Sequence, residues 1–304
     1  MIALAGLAET LRVDGFAVLA GHTSVASSAL QFAADVHGLP NDVLAAHTAA
    51  THRSFLGYRP ADEAPAVAGG PARRGYSSFD FVDDPSAWGD LRGLAKGAGW
   101  PSAALRDEAS TLYRAFARIG EVVTLDLRRD LALSSTLPLR SLVSPTCSIM
   151  RLLKYPAVDQ PTLSKEHTDY ELFSISVADR PGLEVKHQGR WVQVHAGPND
   201  LVLVAGDALE LATEGRIRSP LHRVRMSSSE RRSVVYFQGL RYETRFDHQG
   251  EPYVFGHHLT GMLVRGCPRL SAEHAAGTLE LGFAVPASNP MKGAKAGSHD
   301  EASR

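Results

Sequence analysis

The sequence predicts a mainly β protein with α, a sandwich or jelly roll braced by helices from its first half. Three observations carry this reading. Helical periodicity dominates residues 1–140, short apolar runs separated by turn signals dominate from about Ser148 onward, and neither an internal repeat nor a linker divides the two.

In chain order, helices are expected over Ser24–Val36 and from an Asn41 cap through His47. The interval Pro60–Gly75 is rich in Ala, Pro and Gly and reads as a flexible loop near the mouth of a site. The clearest helix is Ser102–Leu133. Leu105, Ala109, Leu112, Phe116, Ile119 and Val123 recur there at steps of three and four behind Ser102 as N-cap, so one face is buried. The runs Leu201–Val204 and Val234–Phe237 read as strands. Turn signals stand at Asp179–Gly182, Gln188-Gly189, Gly197–Asp200 and Gly206-Asp207. The segment 286–304 is small and polar and is expected to be a disordered tail.

Thirty-two basic side chains stand against thirty-three acidic ones, a formal charge of −1, so bulk electrostatics indicate neither a nucleic-acid nor a membrane partner. Short arginine pairs such as Arg73-Arg74 and Arg128-Arg129 read as solvated faces. Two cysteines, Cys147 and Cys267, exclude a disulfide framework and a sulfur-rich metal site, and a reducing compartment fits. The N-terminal run lacks the basic flank of a leader, and no stretch has the length of a membrane span; a cytoplasmic protein is expected.

The chemistry concentrates in His167-Thr168-Asp169, then His222, then Arg231-Arg232-Ser233. Two imidazoles and one carboxylate suit a ferrous ion that keeps positions open for an organic acid and for dioxygen. On an extended chain residues i and i+2 face the same way, so His167 and Asp169 can share one ion while Thr168 points elsewhere. The same alternation puts Arg231 and Ser233 on one side of a late strand, where guanidinium and hydroxyl can hold a carboxylate. A bare His-x-Asp is weak evidence, and its surroundings strengthen it: Gly182-Leu183-Glu184-Val185, Trp191, the run Asp200–Asp207, and His222-Arg223-Val224.

With these motifs the chain resembles the isopenicillin N synthase-like branch of the iron(II) and 2-oxoglutarate-dependent oxygenases. Asp14–Leu19 and His22 look like that family's opening strand. Phe55-Leu56-Gly57-Tyr58, Trp100-Pro101 before the long helix and Tyr155-Pro156 also match, so the resemblance covers roughly residues 10 to 240. It implies a double-stranded β-helix (jelly roll) core over 146–245, braced by a helix-rich part over 1–140 and followed by a segment over 246–285, as one oxygenase domain spanning 1–285. It also implies His167, Asp169 and His222 as iron(II) ligands, Arg231 and Ser233 on the distal carboxylate of 2-oxoglutarate, and Tyr155 on the cosubstrate side. Because Asp169 keeps the carboxylate, halogenation is disfavoured. The implied outcome is hydroxylation of a small molecule, or its desaturation or cyclisation, with dioxygen consumed and succinate and carbon dioxide formed. Specialised metabolism such as antibiotic biosynthesis is the expected setting.

For substrate, Arg151 precedes Tyr155 on the same strand and face, and a cavity-facing guanidinium invites a carboxylate; an ion pair to a neighbouring strand is the alternative. Tyr76, Phe79 and Phe81 either line the pocket or belong to the core. Two rival functions remain open. One is a cupin-like protein using zinc or nickel for hydrolysis, isomerisation or sensing. The other is a fragmenting oxygenase of the ethylene-forming type, which Tyr170 and Glu230-Arg231 resemble.

Overall fold

The computed structural model describes residues 5–61, 75–97, 99–133, 137–142, 145–197, 199–248, 250–286 and 289. The Arg73-Arg74 pair and most of the expected mobile loop and C-terminal tail lie outside the described residues; Pro286 and Asn289 of that tail lie within them.

The first half supplies α1 (Leu7–Asp14), β1 (Phe16–Leu19), α2 (Thr23–His37), α3 (Asn41–Ala46), β2 (Gly57–Arg59), β3 (Ser77–Phe81) and α4 (Ala103–Asp130). As expected, Ser102 caps α4: its hydroxyl accepts from the Leu105 amide at 3.2 Å. The start of α3 differs. Pro40 is its N-cap and Asn41 its first helical residue, because extended φ/ψ at Pro40 already lead the chain into the turn.

The second half supplies β4 (Ile149–Tyr155), β5 (Thr162–Leu163), β6 (Phe173–Ala178), β7 (Leu183–His187), β8 (Arg190–Gln193), β9 (Leu201–Ala205), α5 (Asp207–Ala212), β10 (His222–Met226), β11 (Arg231–Gln238), β12 (Arg245–His248), β13 (Glu251–Val254), α6 (Phe255–Gly266) and α7 (Pro268–Ala275). Seven strands form a major sheet in the order β1-β9-β6-β11-β4-β3-β2, and four form a minor sheet, β5-β10-β7-β8. The pairing is antiparallel throughout, and the two sheets make the jelly roll that the sequence predicts. The helix-rich half therefore also builds both edges of the major sheet.

Strand alternation divides the major sheet into two faces. Met150, Leu152, Ile175, Leu203, Val234 and Tyr236 join the large core with Phe32 and Phe116, under α2 and α4. The opposite face looks toward the minor sheet, where Leu153 and Tyr155 meet Val224 and Met226, and Val202 and Val204 meet Val185 and Val194. With both faces covered, β9 and residues 234–237 of β11 read as continuous apolar runs rather than strict alternations. Among the described residues no helix is long and apolar enough to cross a membrane.

Candidate metal and anion site

His222 opens β10 and pairs with His167 through a single antiparallel bridge, amide to carbonyl at 3.1 and 2.9 Å. The ligand-bearing segment is otherwise outside any strand. It crosses from the minor to the major sheet, and its main chain is satisfied there by the turn into α5, with the Asp207 amide donating to the Asp169 carbonyl at 2.8 Å. The bridge holds the two imidazoles at 4.3 Å between centroids. Oδ1 of Asp169 lies 3.5 Å from Nε2 of His222 and 3.9 Å from Nε2 of His167, and one ligand atom from each residue falls within 4.8 Å of the others. Nδ1 of His167 lies 3.0 Å from the Lys165 carbonyl and Nδ1 of His222 lies 3.3 Å from the Pro220 carbonyl. A carbonyl is satisfied only by an N–H, which leaves each Nε2 lone pair facing Asp169. That donor set and tautomer fit a divalent transition metal.

Arg231 and Tyr155 are direct partners across β11 and β4. The guanidinium lies 5.1 Å from the centre of the Tyr155 ring and is hydrogen-bonded to that residue, and its Nε donates to the Arg180 carbonyl at 3.0 Å. Gly182 makes room: its φ is +148°, and a Cβ there would lie 2.9 Å from the Arg225 carbonyl oxygen and 3.4 Å from Nε of Arg231. Burial lowers the Arg231 pKa below its ordinary value, and Nη1 is buried with no hydrogen-bond partner among the described residues. An orphaned buried cationic donor fits a carboxylate. Ser233 shares the face of Arg231, but its hydroxyl donates to the Val177 carbonyl at 2.8 Å, so toward a ligand it offers an acceptor unless it rotates.

Arg151 faces the space between the sheets, as its alternation with Tyr155 requires. Its fork is engaged: Nε and Nη2 donate to the two carboxylate oxygens of Asp80 on β3, each at 2.8 Å. Of the three aromatics, Tyr76 packs on Tyr155 at 5.1 Å between centroids, on the site side. Phe79 and Phe81 do not line that space, which corrects the pocket reading. Paired with Leu152 and Met150, they lie on the helix face of the sheet against Trp100, at 4.9 and 5.0 Å, because Asp80 between them takes the site face.

Asp80 and Glu171 were not foreseen from the sequence. Burial, and then the Asp169 carboxylate, push Glu171 up to about 8. A signal existed for both, since Asp80 is the acidic residue inside Phe79-Asp80-Phe81 and Glu171 continues the spacing of His167 and Asp169. Tyr170 is also close, its ring edge-on to His258 at 5.7 Å and its phenol pushed up to about 12 by burial.

Residues 146–239 match the family model of the 2OG-Fe(II) oxygenase superfamily. The chain is similar to a 2-oxoglutarate-dependent ethylene/succinate-forming enzyme of Ralstonia nicotianae, 26% identical over 56% of this chain and 59% of that one. It is also similar to leucoanthocyanidin dioxygenase 1 of Oryza sativa subsp. indica, 30% identical over 62% of this chain and 56% of that one. In both comparisons the chain spans a little more than half of the relative's length. Among solved structures, the dioxygenase for auxin oxidation in rice shares the fold, with a TM-score of 0.65, 18% identity, and coverage of 92% of this chain and 92% of that one.

Proposed function

We propose, from the match of residues 146–239 to the family model of the 2OG-Fe(II) oxygenase superfamily, that this chain is a 2-oxoglutarate-dependent dioxygenase that oxidises a small molecule. The observation that carries the reading is the presence in one jelly-roll core of both a His167–Asp169–His222 donor set and an orphaned Arg231 Nη1. When bound, iron(II) supplies the redox chemistry by which dioxygen is reduced while 2-oxoglutarate becomes succinate and carbon dioxide.

The residues of the chain hold and orient. His167, Asp169 and His222 would hold the ion, each offering one donor atom. Arg231 takes the distal carboxylate of 2-oxoglutarate, and Tyr155 keeps the guanidinium aimed. Leu153, Val224 and Met226 form an apolar wall that excludes water. No general base is needed for the oxidation, so positioning of the substrate sets the outcome, with hydroxylation the default. A substrate carboxylate meeting Arg151 would share the guanidinium with Asp80. A substrate group offering both a donor and an acceptor satisfies the pair without that competition. The setting we favour is specialised metabolism.

Zinc or nickel chemistry of the cupin type gives no use for the orphaned Arg231 donor. Fragmentation of 2-oxoglutarate is favoured by the name of the Ralstonia relative. One experiment separates all three. The protein, reconstituted without oxygen with iron(II) and 2-oxoglutarate, is exposed to dioxygen while succinate, carbon dioxide and ethylene are measured. Succinate without ethylene is the expected result. Ethylene would establish the fragmenting type, and iron-loaded protein that forms neither product would refute an oxygenase.

A further inference from the structure

Behind the ligand-bearing segment, away from the three donor atoms, lies a polar network that the proposed reaction does not use. Thr168 stands between His167 and Asp169, so its side chain points to the opposite side, where it is buried. Its hydroxyl donates to Oδ2 of Asp207 at 3.1 Å, and the same oxygen accepts from Nδ2 of Asn289 at 2.7 Å. That amide nitrogen also lies 3.3 Å from Oγ1 of Thr168, closing a triangle. Asp207 is 0% exposed and Asn289 4%.

The main chain reinforces the triangle. Besides the Asp207 bond to the Asp169 carbonyl, the Ala208 amide donates to the Glu171 carbonyl at 3.2 Å and the Gly206 amide to the Leu172 carbonyl at 3.0 Å. The approach is so close that a Cβ on Gly206 would sit 2.0 Å from the Glu171 carbonyl oxygen. Since His167 is held to the sheet by one bridge and Asp169 by no strand at all, this turn fixes where the Asp169 carboxylate points.

We infer that Asp207 and Asn289 are positioning residues for the metal centre, which lock the His167-Thr168-Asp169 segment from behind through Thr168. The inference rests on the reading that this segment holds iron. A buried carboxylate that loses a donor does not stay in place at no cost, and the segment that moves to relieve it carries the only anionic ligand. Groups that hold a ligand from behind commonly change metal affinity about 10- to 100-fold.

The test uses the full chain and cobalt(II), titrated without oxygen and followed by its visible absorption, with thermal unfolding of the metal-free protein measured alongside. Asn289→Ala and Thr168→Val are expected to bind cobalt about 10- to 100-fold more weakly. Thr168→Ser, which keeps the hydroxyl, should stay near wild type in both affinity and metal-free unfolding, and Asn289→Ala should unfold somewhat lower without metal, as a lost buried hydrogen bond requires, while staying fully folded at the titration temperature. The double variant should be little weaker than the worse single one, because each change already opens the same network. Unchanged cobalt affinity in Asn289→Ala, or a loss of affinity in Thr168→Ser as large as in Thr168→Val, overturns the inference alone. Wild-type protein that binds no cobalt sinks the metal reading and this inference together.

Discussion

Arg151 and Asp80 face each other across β4 and β3 as a two-pronged pair, with both hydrogen bonds at 2.8 Å and the Asp80 side chain only 1% exposed. Burial by itself would lower the guanidinium, but the carboxylate beside it reverses the shift and keeps Arg151 charged.

Removing one partner strands the other in the interior. Asp80→Ala and Arg151→Leu should each destabilise the fold by about 3–5 kcal/mol, whereas replacing both by leucine should cost less than either. Chemical denaturation of the three variants checks this. A single variant with the wild-type midpoint would mean that the pair contributes nothing to stability. Where Arg151→Leu folds, comparing product with succinate locates its role: lost product with succinate still forming puts Arg151 against substrate.

Arg231→Ala should raise the 2-oxoglutarate requirement between roughly a hundredfold and a few thousandfold, from ~3–5 kcal/mol lost when a buried charge pair loses one member. Substrate affinity, measured separately, should change far less. Equal losses in both would mean that Arg231 organises the whole pocket. Arg231→Lys should recover part of the loss, since it keeps the charge without the planar fork.

Asp169→Ala removes the only anionic ligand of the triad. Stoichiometric iron binding and substrate oxidation should both disappear while the far-ultraviolet circular dichroism stays that of the wild type. Full iron occupancy in this variant would refute the ligand assignment.

His37 gives a pH prediction. It closes α2 in a buried position, and burial, with Lys154 and Arg232 nearby, holds its imidazole down to about 4 from an ordinary 6.5. Above pH 6.5 folded and unfolded chains are both neutral at this position, and its contribution to stability is fully present. As pH falls toward 4 the unfolded chain takes up a proton that the folded one refuses, and up to about 3 kcal/mol is lost. Below that both are protonated and the loss stops. The stability difference between wild type and His37→Leu should therefore slope across this window; a flat difference would mean that His37 titrates normally in the fold.

Much of the site was legible because side-chain parity along a strand or extended segment is local. His167 with Asp169, Arg231 on the inner face of β11, and Arg151 on the face of Tyr155 all follow from a period of two, and the capped, periodic α4 follows from a period of 3.6. Parity does not say which face is the inner one when both are covered, so it leaves Phe79 and Phe81 open to a pocket reading although Asp80 occupies that side. Nor does it name a partner. Asp80 reaches Arg151 from 71 residues away, and Asn289 reaches Thr168 from 121. The local chain determined which groups could act together and in which direction each points. The tertiary structure decided which charges are already neutralised and what holds the ligands from behind, because pairing between strands and the return of the chain onto the core depend on contacts that no stretch of neighbouring residues contains.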